Sequence, residues 1–276
     1  MKQLAFATTS VRNVENLEMI VFLLGLIVGS FLNVVIVREG TGKSVFKGRS
    51  RCFACGHVLA WYELIPLVSF VIQKGRCRAC SAKISWQYPI VEFLTGLIFV
   101  GIWWKAQQNF QFSIFNFQTI FYFLFSIFLI LIAVYDFRTK IIPDRFVYPL
   151  IVLGFFYSIF IAYHLPSPIP HIFNDMLAAV SAAGFFALLW LISRGRWIGF
   201  GDAKLTLGLG FFLGWPLILE ALLFAFWSAA LVGIVLMIGK GYSRKSEIPF
   251  GPFLALGAFA AFLIGERVLI WYINVV

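Results

Sequence analysis

Seven long apolar runs leave this chain few ways to fold. They cover about 16–23 residues each, at 19–37, 89–104, 119–135, 146–163, 176–193, 217–239 and 250–265. As a helix, each is long enough to cross a hydrocarbon layer of about 30 Å, some with help from flanking aromatic residues. The last run can extend past Glu266-Arg267, whose side chains would snorkel or pair near the interface. An eighth run, 203–214, covers only about 18 Å as a helix, so it is a half-span or a short buried helix. With 61% of residues apolar and 12% charged, an ordinary soluble domain is excluded. The expected fold is all-α: a polytopic membrane protein of about eight transmembrane helices, one of them short.

The net charge of +10 invites a nucleic-acid partner, and the positions of the cations exclude one. Eighteen of the 22 Lys and Arg fall in the connecting segments 38–88, 136–145, 194–204 and 240–245. If 203–214 crosses, all four segments share one side, and the positive-inside rule makes that side the cytoplasm. Both termini then face outwards. The opening stretch MKQLAFATTSVRNVENLE is too polar and too broken for a signal peptide, so the run after it reads as a retained first helix. Three parts follow: 1–37, a polar segment and first helix; 38–88, a cytoplasmic loop; and 89–276, the membrane core.

All four cysteines lie in that loop, as Cys52-Phe53-Ala54-Cys55 and Cys77-Arg78-Ala79-Cys80. Two C-x2-C pairs closing on one another give four thiolates, the tetrahedral set that binds Zn²⁺. Gly56 and Gly75 permit the tight turns, and the cations at 51, 74, 76 and 78 help hold thiolates. Four cysteine ligands leave no open position, so the metal expected here is structural. A redox pair or unligated thiols are the alternatives. His57 reads as a surface histidine of the small lobe, and His164 and His171 as interfacial residues flanking a proline-rich outer loop.

Two carboxylates stand where an apolar chain avoids them. Asp136 closes the run 119–135, at a helix C-terminus where the backbone dipole disfavours an anion. Its bland reading is an ion pair with Arg138 or Lys140 among headgroups. Asp202 sits in GFGDAKL, where Gly199 and Gly201 allow sharp turns and close approach of another chain. Its bland reading is a helix N-cap beside packing glycines. Asp144 follows Pro143 and is placed to cap the helix beginning near Phe146. The glycines of GLGFFLG (208–214) read as packing residues, since no strand–turn–helix context surrounds them. Ser30 and Asn33, three apart, can face one neighbouring helix. Glu92 and Glu63 have no role fixed by sequence.

Five motifs in order resemble the bifunctional type IV prepilin peptidases. GSFLNVVIVR (29–38) is similar to that family's first-helix signature, and residues 49–96 resemble its zinc-knuckle loop. DFRTKIIPD and GFGDAKL resemble its two catalytic-aspartate motifs, and IPFGPFLALGAF (248–259) its last-helix signature. The resemblance implies an intramembrane aspartic protease of the GxGD type, with Asp136 and Asp202 as the catalytic pair. It implies prepilin and pseudopilin precursors as substrates, cleaved on the cytoplasmic side of a bacterial inner membrane. Methylation of the new N-terminus with S-adenosylmethionine is implied too, with Glu92 a candidate for that half-site. Glu39 and Glu63 are candidates for contacts to a basic leader. A peptidase without methyltransferase activity is one competing reading. A proton-coupled transporter is another, and it would need carboxylates at several depths.

Overall fold

The computed structural model describes residues 2–42, 44–109, 117–240 and 248–275; the cations Arg244 and Lys245 lie outside them. The described residues form helices, with only two isolated β-bridges. Seven helices are long and apolar enough to cross a membrane, beginning with the Leu17–Arg38 portion of α1 (Lys2–Arg38) and α3 (Gln87–Asn109). The others are α4 (Phe117–Thr139), α5 (Asp144–Tyr163), α6 (Pro168–Ser193), α8 (Leu217–Lys240) and α9 (Gly251–Val275). The run at 203–214 becomes α7 (Phe200–Leu213), a helix of 14 residues. It starts earlier than its apolar stretch, so Asp202 lies inside its first turn.

The chain forms two compact units, Met1–Thr119 and Ile120–Val276. In the first, α1 packs along α3 at close range, because glycines remove the side chains between them. A Cβ on Gly25 would come within 2.7 Å of Gly96 Cα, and one on Gly29 within 2.8 Å of Glu92 Cα. Ser30 and Asn33 do face α3. Asn33 Nδ2 donates to the Tyr88 carbonyl at 3.2 Å, and Gln87 Nε2 donates to Asn33 Oδ1 at 3.2 Å.

Between α1 and α3 the lobe is a repeated unit. In each C-x2-C pair the first cysteine's N–H donates to the carbonyl five residues on, Cys52 to His57 and Cys77 to Ala82, both at 2.9 Å. Each pair closes with a left-handed residue after its second cysteine: Gly56 at φ 72° and, in the equivalent place, Ser81 at φ 57°. A bridge flanks each pair, Arg51 with Val58 and Arg76 with Lys83. A 3-10 turn (Trp61–Leu64) links the two halves. Its Glu63 accepts the Ala60 N–H at 2.8 Å and faces His57 Nε2 at 3.4 Å, while Arg78 of the second pair lies over the Tyr62 ring. His57 is therefore a fastening of the lobe and not merely a surface residue. The short helix α2 (Val68–Ile72) follows.

In the second unit α7 is the central element, with Asp202, Ala203, Leu205, Thr206, Gly208, Leu209, Gly210 and Phe212 all buried. Gly210 lies against the backbone of Ala179 on α6, and Gly208 against Leu150 and Ile151 on α5. Gly208 and Gly210 of GLGFFLG are thus packing residues, whereas Gly214 ends α7 as its C-cap at φ 65°. An aromatic knot ties four helices together. Phe125 of α4 stacks on Phe212 of α7 at 3.7 Å, Tyr157 of α5 lies 4.6 Å from Phe212, and Phe262 of α9 lies 4.6 Å from Tyr122 of α4.

Candidate functional site

Asp136 and Asp202 are both buried, 4% and 6% exposed. Asp136 occupies the last turn of α4, three residues before its end, and the Lys140 N–H closes that turn on the Asp136 carbonyl at 2.7 Å. Its carboxylate is held from α9: the Gly251 N–H donates to Oδ2 at 2.9 Å. Gly251 is the first residue of α9, so this N–H is one of the unpaired donors at a helix N-terminus, which suit an anion. A Cβ at position 251 would stand 2.7 Å from that oxygen. Arg138 and Lys140 are exposed, unlike the carboxylate.

Asp202 is the third residue of α7, and Gly199 is the N-cap. The aspartate is therefore not the cap. Gly201 permits the approach that matters: a Cβ there would come within 2.8 Å of Ile142 Cβ, in the DFRTKIIPD stretch. That contact draws the two aspartate-bearing segments together. Asp202 Oδ1 is buried with no hydrogen-bond partner. Buried carboxylate oxygens are seldom left so, because the desolvation is not offset.

Asp144 differs from its sequence reading. It is the first residue of α5 with Pro143 as N-cap, and its side chain makes no capping bond. It is instead about half exposed and ion-paired with Lys204, whose ammonium also lies over the Tyr148 and Phe200 rings. Three features escaped the sequence: the Gly251 donor, and the buried acids Asp175 and Glu220. Asp175 accepts from Ser158 Oγ at 2.6 Å, lies 3.2 Å from His171 Nδ1, and abuts Gly214 beyond the far end of α7. Gly214 lies twelve positions on from Asp202, roughly 18 Å along the axis. Asp175 thus belongs to a different end of the unit.

The four cysteine sulfurs lie within 4.8 Å of one another, and Cys52 and Cys80 Sγ are 3.8 Å apart. Tetrahedral ligands at the Zn–S length of about 2.3 Å stand about 3.8 Å from each other, so the set fits such an ion. The Cys55 and Ala54 N–H groups hold the Cys52 thiol down to about 6. An N–H from Ala82 lowers Cys80, yet the sulfurs of Cys55, Cys77 and Cys52 push it up to about 12. Four thiolates so close together repel, and a divalent cation is what would hold them. Glu92 sits in the first unit, buried, with Oε2 accepting the Leu67 N–H at 2.8 Å and Ser30 also bonding its carboxylate. Glu63 is likewise buried and engaged by Ala60 and His57.

Residues 23–106 match the family model of the bacterial peptidase A24 N-terminal domain, and 123–237 that of the type IV leader peptidase family. The prepilin leader peptidase/N-methyltransferase of Bacillus subtilis strain 168 is 32% identical over 255 residues, which are 92% of this chain and 97% of that protein. This chain belongs to the type IV leader peptidase family. Two relatives that bear the same name extend the match. That of Aeromonas salmonicida strain A449 is 30% identical over 93% of this chain and 94% of its own length. That of Myxococcus xanthus strain DK1622 is 37% identical over 80% of this chain, which spans 63% of the relative. No solved structure matches. As a member of the leader peptidase family the chain is a protease, and its seven long apolar helices make it a multi-pass membrane protein. Both aspartate motifs fall inside the leader-peptidase match, whereas IPFGPFLALGAF lies beyond it.

Proposed function

We propose that this protein removes the basic leader from type IV prepilins and pseudopilins with Asp136 and Asp202 as its catalytic pair, and then methylates the new N-terminus. The observation that carries the reading is the unpartnered, buried Asp202 Oδ1 in a unit where Asp136 is fixed by a helix N-terminus. Neighbouring carboxylates cannot both ionise cheaply, so the pair shares a proton that belongs to neither alone. The ionised carboxylate takes a proton from a water, whose oxygen attacks the scissile carbonyl carbon. The protonated carboxyl gives its proton to the carbonyl oxygen. Collapse then breaks the C–N bond: the amine leaves with the proton first taken from water, and one hydroxyl of the intermediate returns its proton to the second carboxylate as the carbonyl re-forms. The cation-rich connecting segments support a cytoplasmic orientation for this chemistry at the inner membrane.

Cys52, Cys55, Cys77 and Cys80 hold a structural zinc in this reading, with no position open to substrate. For methyl transfer, S-adenosylmethionine supplies the methyl group when bound. We place its contact at Glu92, where a buried carboxylate with the Asn33 and Gln87 amides nearby suits a cationic sulfonium. Leader cleavage of a co-expressed prepilin in membranes tests the pair. Asp136→Asn and Asp202→Asn should each abolish the mobility shift, and Asp144→Asn should leave it largely intact. Cleavage persisting in either of the first two removes the assignment.

A further inference from the structure

The short helix after the cysteine turn is the feature that the peptidase reading leaves unused. Leu67, immediately before α2, has φ 59° and ψ −50°, and the Val68 N–H reaches the Pro66 carbonyl at 2.6 Å. This is a γ-turn, a strained conformation for a residue with a Cβ, which persists only when its surroundings fix it. Here they do. The Leu67 N–H is held by Glu92, five residues into α3, roughly 8 Å along that helix. A helical side chain leans towards the N-terminus of its helix, so Leu67 lies level with the first two turns of α3. Those turns belong to a segment long and apolar enough to cross a membrane, Gln87–Gln107.

Two further contacts strap α2 to the same place. Phe70 packs on Trp86 with centroids 5.0 Å apart, and the Ile84 N–H donates to the Gly75 carbonyl at 2.8 Å. Much of this strap is nonetheless bare and apolar: Val71 is 73% exposed, Ile72 63% and Trp86 70%. Exposed Lys74 and Arg76 follow directly. A backbone turn at membrane depth needs its freed polar groups satisfied by protein, and the Glu92 carboxylate satisfies this one. Tryptophan and aliphatic residues edged by Lys and Arg match an interface of anionic lipid headgroups.

We infer that α2 and its flanks are a membrane-interface anchor, which seats the cysteine lobe on an anionic bilayer surface beside α3. The occupant of the exposed face is lipid: the face is continuous with a membrane-spanning helix, and its cations complement acidic headgroups.

The test uses the full chain in nanodiscs of phosphatidylcholine, with and without phosphatidylglycerol. A photoreactive benzoylphenylalanine replaces Val71 in one preparation and Phe53, 79% exposed on the first cysteine turn, in another. Irradiation followed by mass spectrometry should give lipid adducts at 71 and none at 53. Lys74→Glu should lower the yield at 71 only where phosphatidylglycerol is present. No lipid adduct at 71, equal adducts at both positions, or adducts at 71 solely to protein would each overturn the inference. So would a yield that Lys74→Glu leaves unchanged in the anionic discs. Both probed side chains are exposed, so neither probe disturbs packing.

Discussion

Gly251→Ala adds one carbon at the point where α9 meets Asp136. The added Cβ would sit 2.7 Å from Asp136 Oδ2, 3.2 Å from Cγ and 3.3 Å from Cβ. Oxygen and carbon do not approach so closely, so the carboxylate must move by about half an ångström or more and stretch its 2.9 Å bond to the Gly251 N–H. A hydrogen bond to a charged group contributes about 1.5–3 kcal/mol, and a tenfold rate change corresponds to about 1.4 kcal/mol. The expected loss is therefore about 10- to 100-fold in the rate of leader cleavage, measured under single turnover in proteoliposomes. Gly251 is absent from the left-handed residues, so alanine is not strained there by the backbone. Folding should survive, and the thermal midpoint should stay within a few degrees of wild type. Gly257→Ala is the contrast. Its Cβ would press on the Ala221 carbonyl between α8 and α9, so it should lower the midpoint through packing. A Gly251→Ala enzyme cutting within twofold of wild type would refute the view that α9 positions Asp136.

Three further outcomes concern the lobe. Wild-type protein should carry about one zinc per chain by elemental analysis, and Cys52→Ser should lose it and loosen residues 49–85 in hydrogen exchange while Asp136 and Asp202 stay in place. Zinc-free protein tolerating all four Cys→Ser changes would remove the metal. Ser81→Gly places glycine at φ 57°, where its counterpart Gly56 already stands. It should stabilise the lobe by about 0.5–1 kcal/mol against chelator-induced unfolding, and a destabilised variant would contradict this. The Glu63 carboxyl is held below the usual range by the Ala60 N–H and then by His57. Its contribution is thus present above the ordinary carboxylate value and lost as pH falls through the lower folded one. The acid-side difference in lobe stability between wild type and Glu63→Gln should close as pH drops; a difference independent of pH would show that the pair carries no such linkage.

The burial of Asp136 was legible in the sequence, because a charge closing an apolar run is costly unless it faces the protein interior. The clustering of the cysteines was legible because two C-x2-C pairs in one loop are spaced to close on one another. The helices followed from their apolar runs, though α7 begins at Phe200 and not at the edge of its run. What remained hidden depends on backbone groups. No residue type announces that the Gly251 N–H meets a carboxylate 115 positions away. Likewise nothing in Pro66-Leu67-Val68 advertises a γ-turn, since a leucine at positive φ is held there by tertiary contact alone. Asp144 misled for a related reason: it follows the residue that precedes the helix, and the choice between cap and first helical position depends on where the chain leaves Pro143.

The depth at which α7 is buried also bears on how the protein is made. A segment of 14 residues carrying Asp202 and Lys204 is a poor substrate for insertion by itself, being short and twice charged. Two of its glycines, Gly208 and Gly210, have meaning only against Leu150 of α5 and Ala179 of α6. We expect α5 and α6 to be in the bilayer, and held near the translocon, before α7 enters. The carboxylate of Asp202 would then reach its place as a passenger of two helices already made.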